Sequence, residues 1–230
     1  RERKSSILDI NNKDGPFFLY ICHDAMHSGI VCPPELRKKY EQKKPGKHRD
    51  NPEYAGLLEY LDKGVGKVLE TVEKHGLSEN TIVVFLSDNG GNIKYTSQHP
   101  LRGGKAMGYE GGIRVPAMVD APGITPPGSV CDVPIADYDF FPTILQLAGM
   151  ELRPELHEDG VSFYSLLDGN EDDAPVELKE RALYWHYPHY HKMSQYGVIL
   201  KGDYKLIEFF HLGENEIEMY NLAEDLGESI

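Results

Sequence analysis

The chain has 230 residues, of which 40% are apolar, and a formal net charge of −13 at pH 7. This length accommodates one α/β domain and a smaller one, with enough apolar material for a packed core. The acidic balance argues against nucleic acid as a partner, and no apolar run reaches the length of a transmembrane segment. Three cysteines without a CxxC motif predict no disulfide framework and identify no compartment.

The first half of the chain alternates predicted strands with a long helix. Residues 17–21 (FFLYI) have the composition of a strand buried on both faces of a parallel sheet. The apolar stripe of residues 52–75 predicts a helix that begins at a proline and ends before a glycine. A buried strand is predicted again over residues 81–86, and another short strand is predicted over residues 114–119. This order predicts an α/β fold with a mixed, largely parallel sheet flanked by helices.

The second half changes character after a predicted amphipathic helix over residues 137–150. Residues 151–180 are polar and acidic. Residues 182–222 alternate in the manner of antiparallel strands, and Gly202-Asp203 predicts a hairpin turn. We therefore expect an α/β domain over residues 1–150 and a small α+β subdomain with an antiparallel sheet over residues 151–230.

Residues 33–53 form a basic segment with five lysines, two arginines and one histidine. Its proline and lysine content indicates a surface excursion with one helical turn. The simpler interpretation is a solvated face, and the alternative is a surface that approaches a polyanion.

The first candidate site follows the strand predicted over residues 81–86. Ligands of open α/β sheets lie beyond the carboxyl ends of the strands, which is where Asp88 and Asn89 occur. A carboxylate and an amide oxygen are donors that Ca²⁺ prefers, with Mg²⁺ as the less favoured choice. The alternative interpretation is an ordinary Asp-Asn-Gly turn.

A glycine-rich loop downstream carries Arg102 and Lys105 between paired glycines, where backbone can approach a ligand closely. Lys105 is a candidate for binding a sulfate or phosphate oxygen and for assisting a leaving group, or else a surface cation. Glu110 and Arg114 have opposite charge, and we expect a structural ion pair that braces the loop.

Histidines supply the remaining candidates. His186, His189 and His191 alternate with aromatic residues in WHYPHYH, a pattern that suits a sugar or aryl group. The alternative is an aromatic patch that seals two domains, and Pro188 argues against a convergent metal triad. His27 follows the first predicted strand, where it is either a site residue or a surface histidine.

Four blocks of the sequence, in this order, resemble type I sulfatases of the alkaline-phosphatase-like superfamily. They are PFFLYICHDAMH, TIVVFLSDNGG, PLRGGKAMGYEGGIRVPAMV, and GDYKLIEFF followed by EMYNL. The third block is the most distinctive, and the likeness extends over nearly the whole chain.

The resemblance implies a role for each matching position. Asp88 and Asn89 would bind the active-site calcium, and Lys105 would bind the sulfate and assist the leaving group. His27 would contact the sulfate, although Met26 stands where the family has proline. The three histidines of WHYPHYH, with Arg102, would shape a pocket for a sulfated carbohydrate or an aryl sulfate. The likeness also suggests a periplasmic, secreted or lysosomal parent enzyme.

The sequence departs from the family in one large respect. The family nucleophile is a formylglycine made from the cysteine or serine of a C/S-x-P-x-R block, and Cys22, Cys32 and Cys131 all lack that context. We therefore expect the C-terminal portion of a sulfatase, with the nucleophile outside this chain and no activity in these residues alone. The alternatives are a phosphodiesterase or phosphonate hydrolase of the same superfamily, against which Asn89 argues, and a non-catalytic carbohydrate-binding pseudoenzyme.

Overall fold

The structure is a computed structural model that describes residues 15–27, 29–210 and 216–229. The chain divides into two compact units, residues 1–80 and 81–230. The boundary expected after residue 150 falls within the second unit and stays a prediction. None of the helices in the described part is long and apolar enough to cross a bilayer.

The first unit is a pair of packed helices, α1 (Pro34–Glu41) and α2 (Pro52–Lys74). The Asn51 side chain begins α2 by accepting hydrogen bonds from the amides of Glu53 and Tyr54 at 3.1 and 3.0 Å, which satisfies two amides that the helix leaves unpaired. The helix ends before Gly76, whose φ of 68° suits glycine. The predicted long helix is confirmed.

The strand predicted over residues 17–21 is wrong. These residues are in no strand, and Phe18 and Tyr20 are 76% and 79% exposed. A strand exists through a ladder of hydrogen bonds to a neighbouring strand, and neither of the sheets in the described residues includes this segment. The apolar composition of residues 17–21 was therefore insufficient to predict a strand.

The second unit begins with a two-stranded sheet of β1 (Val83–Leu86) and β2 (Ala117–Asp120). The two strands are antiparallel, with Val83 opposite Asp120, so the largely parallel sheet is not found among the described residues. Strand β1 is also half-exposed where burial was predicted, with Leu86 39% exposed. A strand with a single neighbour leaves its other edge and much of both faces uncovered.

The second unit also contains three short helices. They are α3 (Glu110–Ile113), α4 (Phe140–Leu147) and α5 (Val176–Glu180). The predicted helix over residues 137–150 is thus shorter than expected and begins with a 3₁₀ turn. Buried Asp139 anchors it by accepting hydrogen bonds from the Ala136 and Val161 amides at 2.7 and 2.9 Å and by pairing with Arg181.

The predicted antiparallel sheet is confirmed as four strands in the order β3 (Ala182–Tyr187), β4 (Tyr196–Lys201), β5 (Tyr204–Phe209) and β6 (Glu216–Asn221). The hairpin turns at Gly202-Asp203, and the φ of Gly202 is 55°. One face, which we call the inner face, forms a core with Tyr109. It includes Val198, Ile207 and Phe209. The inner face therefore packs against the glycine-rich loop.

Candidate functional site

The Asp88-Asn89 pair directly follows the strand β1. The Ser87 hydroxyl donates a hydrogen bond to the Asn89 carbonyl oxygen at 3.0 Å, and the Ser87 amide donates to the Pro116 carbonyl oxygen at 3.4 Å. Asp88 is exposed and Asn89 is half-buried. The turn thus presents a carboxylate and an amide at the end of the strand.

Glycines hold this turn against the second glycine-rich loop. The Gly90 amide donates to the Gly112 carbonyl oxygen at 3.0 Å, and a Cβ on Gly90 would lie 1.8 Å from the Gly111 carbonyl oxygen. The Lys105 amide donates to the Gly91 carbonyl oxygen, also at 3.0 Å. The space beside Gly104, Gly111 and Gly112 is filled by other backbone. The sequence had suggested instead that backbone would approach a ligand here. We call this backbone contact the glycine interlock.

Lys105 lies on the loop that the glycine interlock positions. Lys105 is half-buried. Within the described part of the chain its ammonium group has no hydrogen bond or ion pair. A partly buried cation without a protein partner attracts an anion, because nothing nearby neutralises it. Lys105 is therefore available for the role that the sequence assigned to it.

Arg102, on the same loop, is already engaged. Its guanidinium donates hydrogen bonds to the Tyr220 hydroxyl and to the Glu228 carbonyl oxygen, both at 2.8 Å. It also lies 3.9 Å from the centre of the Tyr109 ring, a cation–π contact. These bonds attach the loop to β6 and to the end of the chain, so a contact of Arg102 with substrate stays a prediction.

Tyr109 and Tyr220 complete this attachment through a shared carboxylate. Both hydroxyls donate to Glu218, at 2.9 and 2.6 Å. Burial, followed by the bond to Glu218, raises the pKa of Tyr220 to about 12. The phenol consequently stays protonated and keeps donating at any physiological pH.

A buried cluster of Glu110, Lys205 and Glu228, here called the carboxylate–lysine cluster, fixes the loop from the other side. The Lys205 ammonium lies 2.9 Å from Glu110 and 2.7 Å from Glu228, and all three side chains are nearly inaccessible. Glu228 also accepts a hydrogen bond from the Glu110 amide at 2.7 Å. Burial raises the pKa of Glu228, while Lys205 acts in the opposite direction.

The ion pair expected between Glu110 and Arg114 is present but long, at 3.8 Å, and Arg114 is largely exposed. Lys205 is the principal partner, and sequence reasoning missed it. The signal was there: Lys205 alternates with Ile207 and Phe209 on β5, and a lysine in a buried register needs a buried anion.

The three candidate histidines do not converge. His186 is on the outer face of the sheet, opposite the inner face, where its ring lies 5.5 Å from Phe210. His189 and His191 lie in the loop between β3 and β4. The His189 ring lies 5.5 Å from the Tyr187 ring, and His191 Nδ1 lies 3.4 Å from the Tyr187 hydroxyl oxygen. The expected single pocket thus divides between two faces.

The β3–β4 loop reaches the glycine-rich loop through Met193, whose sulfur accepts a hydrogen bond from the Gly108 amide at 3.4 Å. His189 and His191 therefore belong to the side of the sheet that carries Lys105. His186 instead borders a shallow pocket of about 310 Å³ with Tyr184, Ile199 and Glu208.

His27 belongs to the first unit, where it is exposed and its amide donates to the Asp24 carbonyl oxygen at 3.2 Å. The preceding Met26 has a φ of 79°. A proline ring holds φ near −65°, so a proline cannot occupy this turn. At Met26, where the family motif has proline, the backbone thus has a conformation that proline does not adopt.

The donors at the end of β1 suit a hard cation in kind but not in number. The side chains of Asp88 and Asn89 supply at most about three oxygens, whereas Ca²⁺ takes about six to eight. No group of three or more His, Cys, Asp or Glu side chains able to hold a metal lies within the residues that the structure describes. The pair alone therefore fits only part of the coordination shell that such an ion requires.

Two family models match the chain. The sulfatase model matches residues 3–150, and the model for the C-terminal part of N-sulphoglucosamine sulphohydrolase matches residues 103–229.

Curated relatives point the same way. A sulfatase of Formosa agariphila is 37% identical over 97% of this chain and 43% of its own length. Rat steryl-sulfatase is 34% identical over 76% of this chain, and human arylsulfatase D is 36% identical over 73%. The chain covers 30% and 28% of those two proteins, so it spans less than half of each of these relatives.

Solved structures share the fold. Ps i-CgsB in complex with k-i-k-neocarrahexaose superposes with a TM-score of 0.79 and 28% identity, over 95% of this chain and 46% of that one. BT4656 in complex with its substrate D-glucosamine-2-N,6-O-disulfate gives a TM-score of 0.64 and 30% identity, over 77% of this chain and 35% of that one. Since the sulfatase model alone matches well over half of the residues, the chain belongs to the sulfatase family.

Proposed function

We propose that this chain forms part of a sulfuric ester hydrolase and supplies one wall of its active site. The glycine interlock is the observation that supports this most directly. It holds the unpaired cation of Lys105 and the oxygen donors of Asp88 and Asn89 on two loops whose backbones touch. A cation beside hard metal ligands is an arrangement for an anionic ester.

Asp88 and Asn89 would hold Ca²⁺, with Mg²⁺ the less favoured ion, because calcium accepts irregular coordination by protein oxygens whereas magnesium requires a near-ideal octahedron and keeps several waters. A divalent cation bound there would stabilise negative charge on the oxygens of the sulfate ester. The ligands that complete the site would come from outside the described residues.

Lys105 would pair with a sulfate oxygen and donate a proton or hydrogen bond to the departing alcohol oxygen. Its backbone bond to Gly91 fixes the starting point of the side chain, and the carboxylate–lysine cluster fixes the far end of the loop. His27, in the first unit, is proposed as a second contact to the sulfate.

The nucleophile is proposed to lie outside these 230 residues, because no C/S-x-P-x-R block occurs among them. The chain by itself is then expected to be inactive. Relatives and structural neighbours include a protein whose substrate is a sulfated amino sugar, which supports a sulfated carbohydrate as substrate, with an aryl sulfate as the simple surrogate. His189 and His191 would meet the group that carries the sulfate.

The parent enzyme containing this chain should hydrolyse 4-nitrophenyl sulfate much faster than 4-nitrophenyl phosphate. In that enzyme Lys105→Ala should lower kcat/KM for the sulfate by at least about 10²-fold, the usual effect of losing one donor to a developing charge. Circular dichroism should show an unchanged fold. Lys94→Ala, in the exposed segment between the two loops, is the matched control and should keep wild-type turnover.

Two results would contradict the proposal. Dominant phosphate turnover would indicate a phosphodiesterase or phosphonate hydrolase instead. Equal activity of the Lys105→Ala and Lys94→Ala variants would remove Lys105 from the site.

A further inference from the structure

Cations are concentrated in one short part of an acidic chain. Residues 34–49, here called the basic lobe, carry seven of the 24 lysines and arginines but only two of the 37 acidic residues. The lobe consists of α1 and the loop that follows it. Such a reversal of local charge creates a positive potential that the distant carboxylates do not cancel within a screening length of about 8 Å.

Some of these cations attach the lobe to its neighbours. Lys39 pairs with Glu59 on α2 at 2.6 Å, and Arg37 pairs with Glu53 on α2 at 3.6 Å. Below them Leu36 packs with Leu57 and Cys32 in a small core. The basic lobe is therefore held on α2 by burial and by ion pairs that use two of its seven cations.

Four other cations have no acidic partner. Lys38, Lys43, Lys44 and Lys47 are exposed, and no ion pair to any of them is found within the described ranges. Lys43 lies 4.8 Å from the centre of the Tyr40 ring, and the Gly46 amide closes a turn onto the Arg49 carbonyl oxygen at 3.1 Å. The lobe thus presents unneutralised ammonium groups on an anchored support.

We propose that the basic lobe binds a sulfated polysaccharide chain. This inference rests on the proposed function, because an enzyme acting on one sulfate ester of a polymer meets many further sulfates along the same molecule. Binding through the lobe would raise affinity for the polymer and leave the hydrolysis of a small aryl sulfate unchanged.

Two other polyanions fit the lobe less well. The loop of the lobe, residues 42–49 (QKKPGKHR), contains no large aliphatic or aromatic side chain that could enter a membrane interface. Nucleic acid is opposed by the net charge of −13, and the lobe offers one tyrosine where single-strand binders use several stacked aromatics.

The test measures binding of the whole chain to dextran sulfate by isothermal titration calorimetry at several salt concentrations. The triple variant Lys43→Glu, Lys44→Glu, Lys47→Glu should bind at least about tenfold more weakly. Its dependence of log Kd on log salt should also be shallower, since each lost ionic contact removes nearly one unit of slope for a dense polyanion. The matched control is Lys67→Glu, Lys74→Glu, Lys201→Glu, which makes the same charge change at exposed positions elsewhere.

The proposal is overturned if the two triple variants lose affinity equally, because net charge alone would then explain binding. It is also overturned if the wild-type chain binds single-stranded DNA or phosphatidylserine vesicles more tightly than dextran sulfate, or binds no polyanion. Failure of the proposed function has a different signature, namely a parent enzyme that does not cleave 4-nitrophenyl sulfate while the lobe still binds the polymer.

Discussion

Gly90 makes the contact between the two loops of the candidate site. The contact is possible because glycine has no side chain. A methyl group there would overlap the Gly111 carbonyl oxygen. Gly90→Ala should therefore separate the loops and lower the free energy of unfolding by about 1–3 kcal/mol. Urea denaturation measures the change.

Gly66 provides the matched control. A Cβ on this glycine of α2 would meet nothing within 4 Å, and alanine is the better helix former. Gly66→Ala should raise the free energy of unfolding by about 0.5–1 kcal/mol. If the two substitutions change the free energy of unfolding in the same direction, the close contact with Gly111 does not explain why position 90 is glycine.

Glu228 gives the second unit a pH-dependent stability. Because burial raises its pKa, the folded state holds the proton more tightly than the unfolded state does. The contribution of this carboxyl to stability is complete below the unfolded pKa of about 4.3 and is lost as the pH rises through the higher folded value. Lys205 and Glu110 are the charged groups that face it.

Glu228→Gln removes this titration. The free energy of unfolding of the wild-type chain minus that of the variant should fall as the pH rises from about 4 to about 8. Glu224→Gln, at an exposed position nearby, should show no such slope. A difference that rises with pH would mean that attraction to Lys205 outweighs the cost of burying the charge.

At the scale of elements, the four-stranded sheet has two faces of very different exposure. Ile207, on the inner face, is fully buried, whereas Ile217, on the outer face, is 59% exposed. Ile207→Ala should cost about 2–5 kcal/mol of unfolding free energy because it leaves a cavity. Ile217→Ala should change stability by about 0.5 kcal/mol or less.

Thermal or chemical denaturation of both isoleucine variants compares one residue type in one sheet. Equal losses would show that the outer face is covered in solution and that the assignment of inner and outer faces does not describe the protein.

Elements with local signals were predicted well, and those that need a distant partner were not. Helix α2 carries its own apolar stripe, capping Asn51 and terminating Gly76, so its residues specify it locally. The hairpin at Gly202-Asp203 is equally local. Residues 17–21 have the right composition for a strand but are part of neither sheet among the described segments, and composition does not report a neighbouring strand.

At the scale of the whole molecule, the proposed metal offers a direct test. Chelation of the parent enzyme with EGTA should abolish sulfate ester hydrolysis and lower its Tm, because a bound ion stabilises the folded state by mass action. Added Ca²⁺ should restore both properties more fully than Mg²⁺. Asp88→Ala should reduce the calcium content measured by atomic emission, which is a readout independent of activity.

Retention of full activity and full calcium content by the Asp88→Ala enzyme would place the metal elsewhere. A preference for Mg²⁺ in both the activity and the Tm measurement would contradict the choice of ion while leaving the ligands in place.

The sequence by itself determined the family, the long helix, the antiparallel hairpins and the candidate residues Asp88, Asn89 and Lys105, because each depends on a local pattern or an ordered motif. Only the tertiary structure decided what the glycines and charges around them do. It packs the glycines backbone against backbone, gives Glu110 the distant partners Lys205 and Glu228, and separates His186 from the other histidines. Those outcomes depend on which segments meet in space, and a linear pattern contains no information about that until the chain is folded.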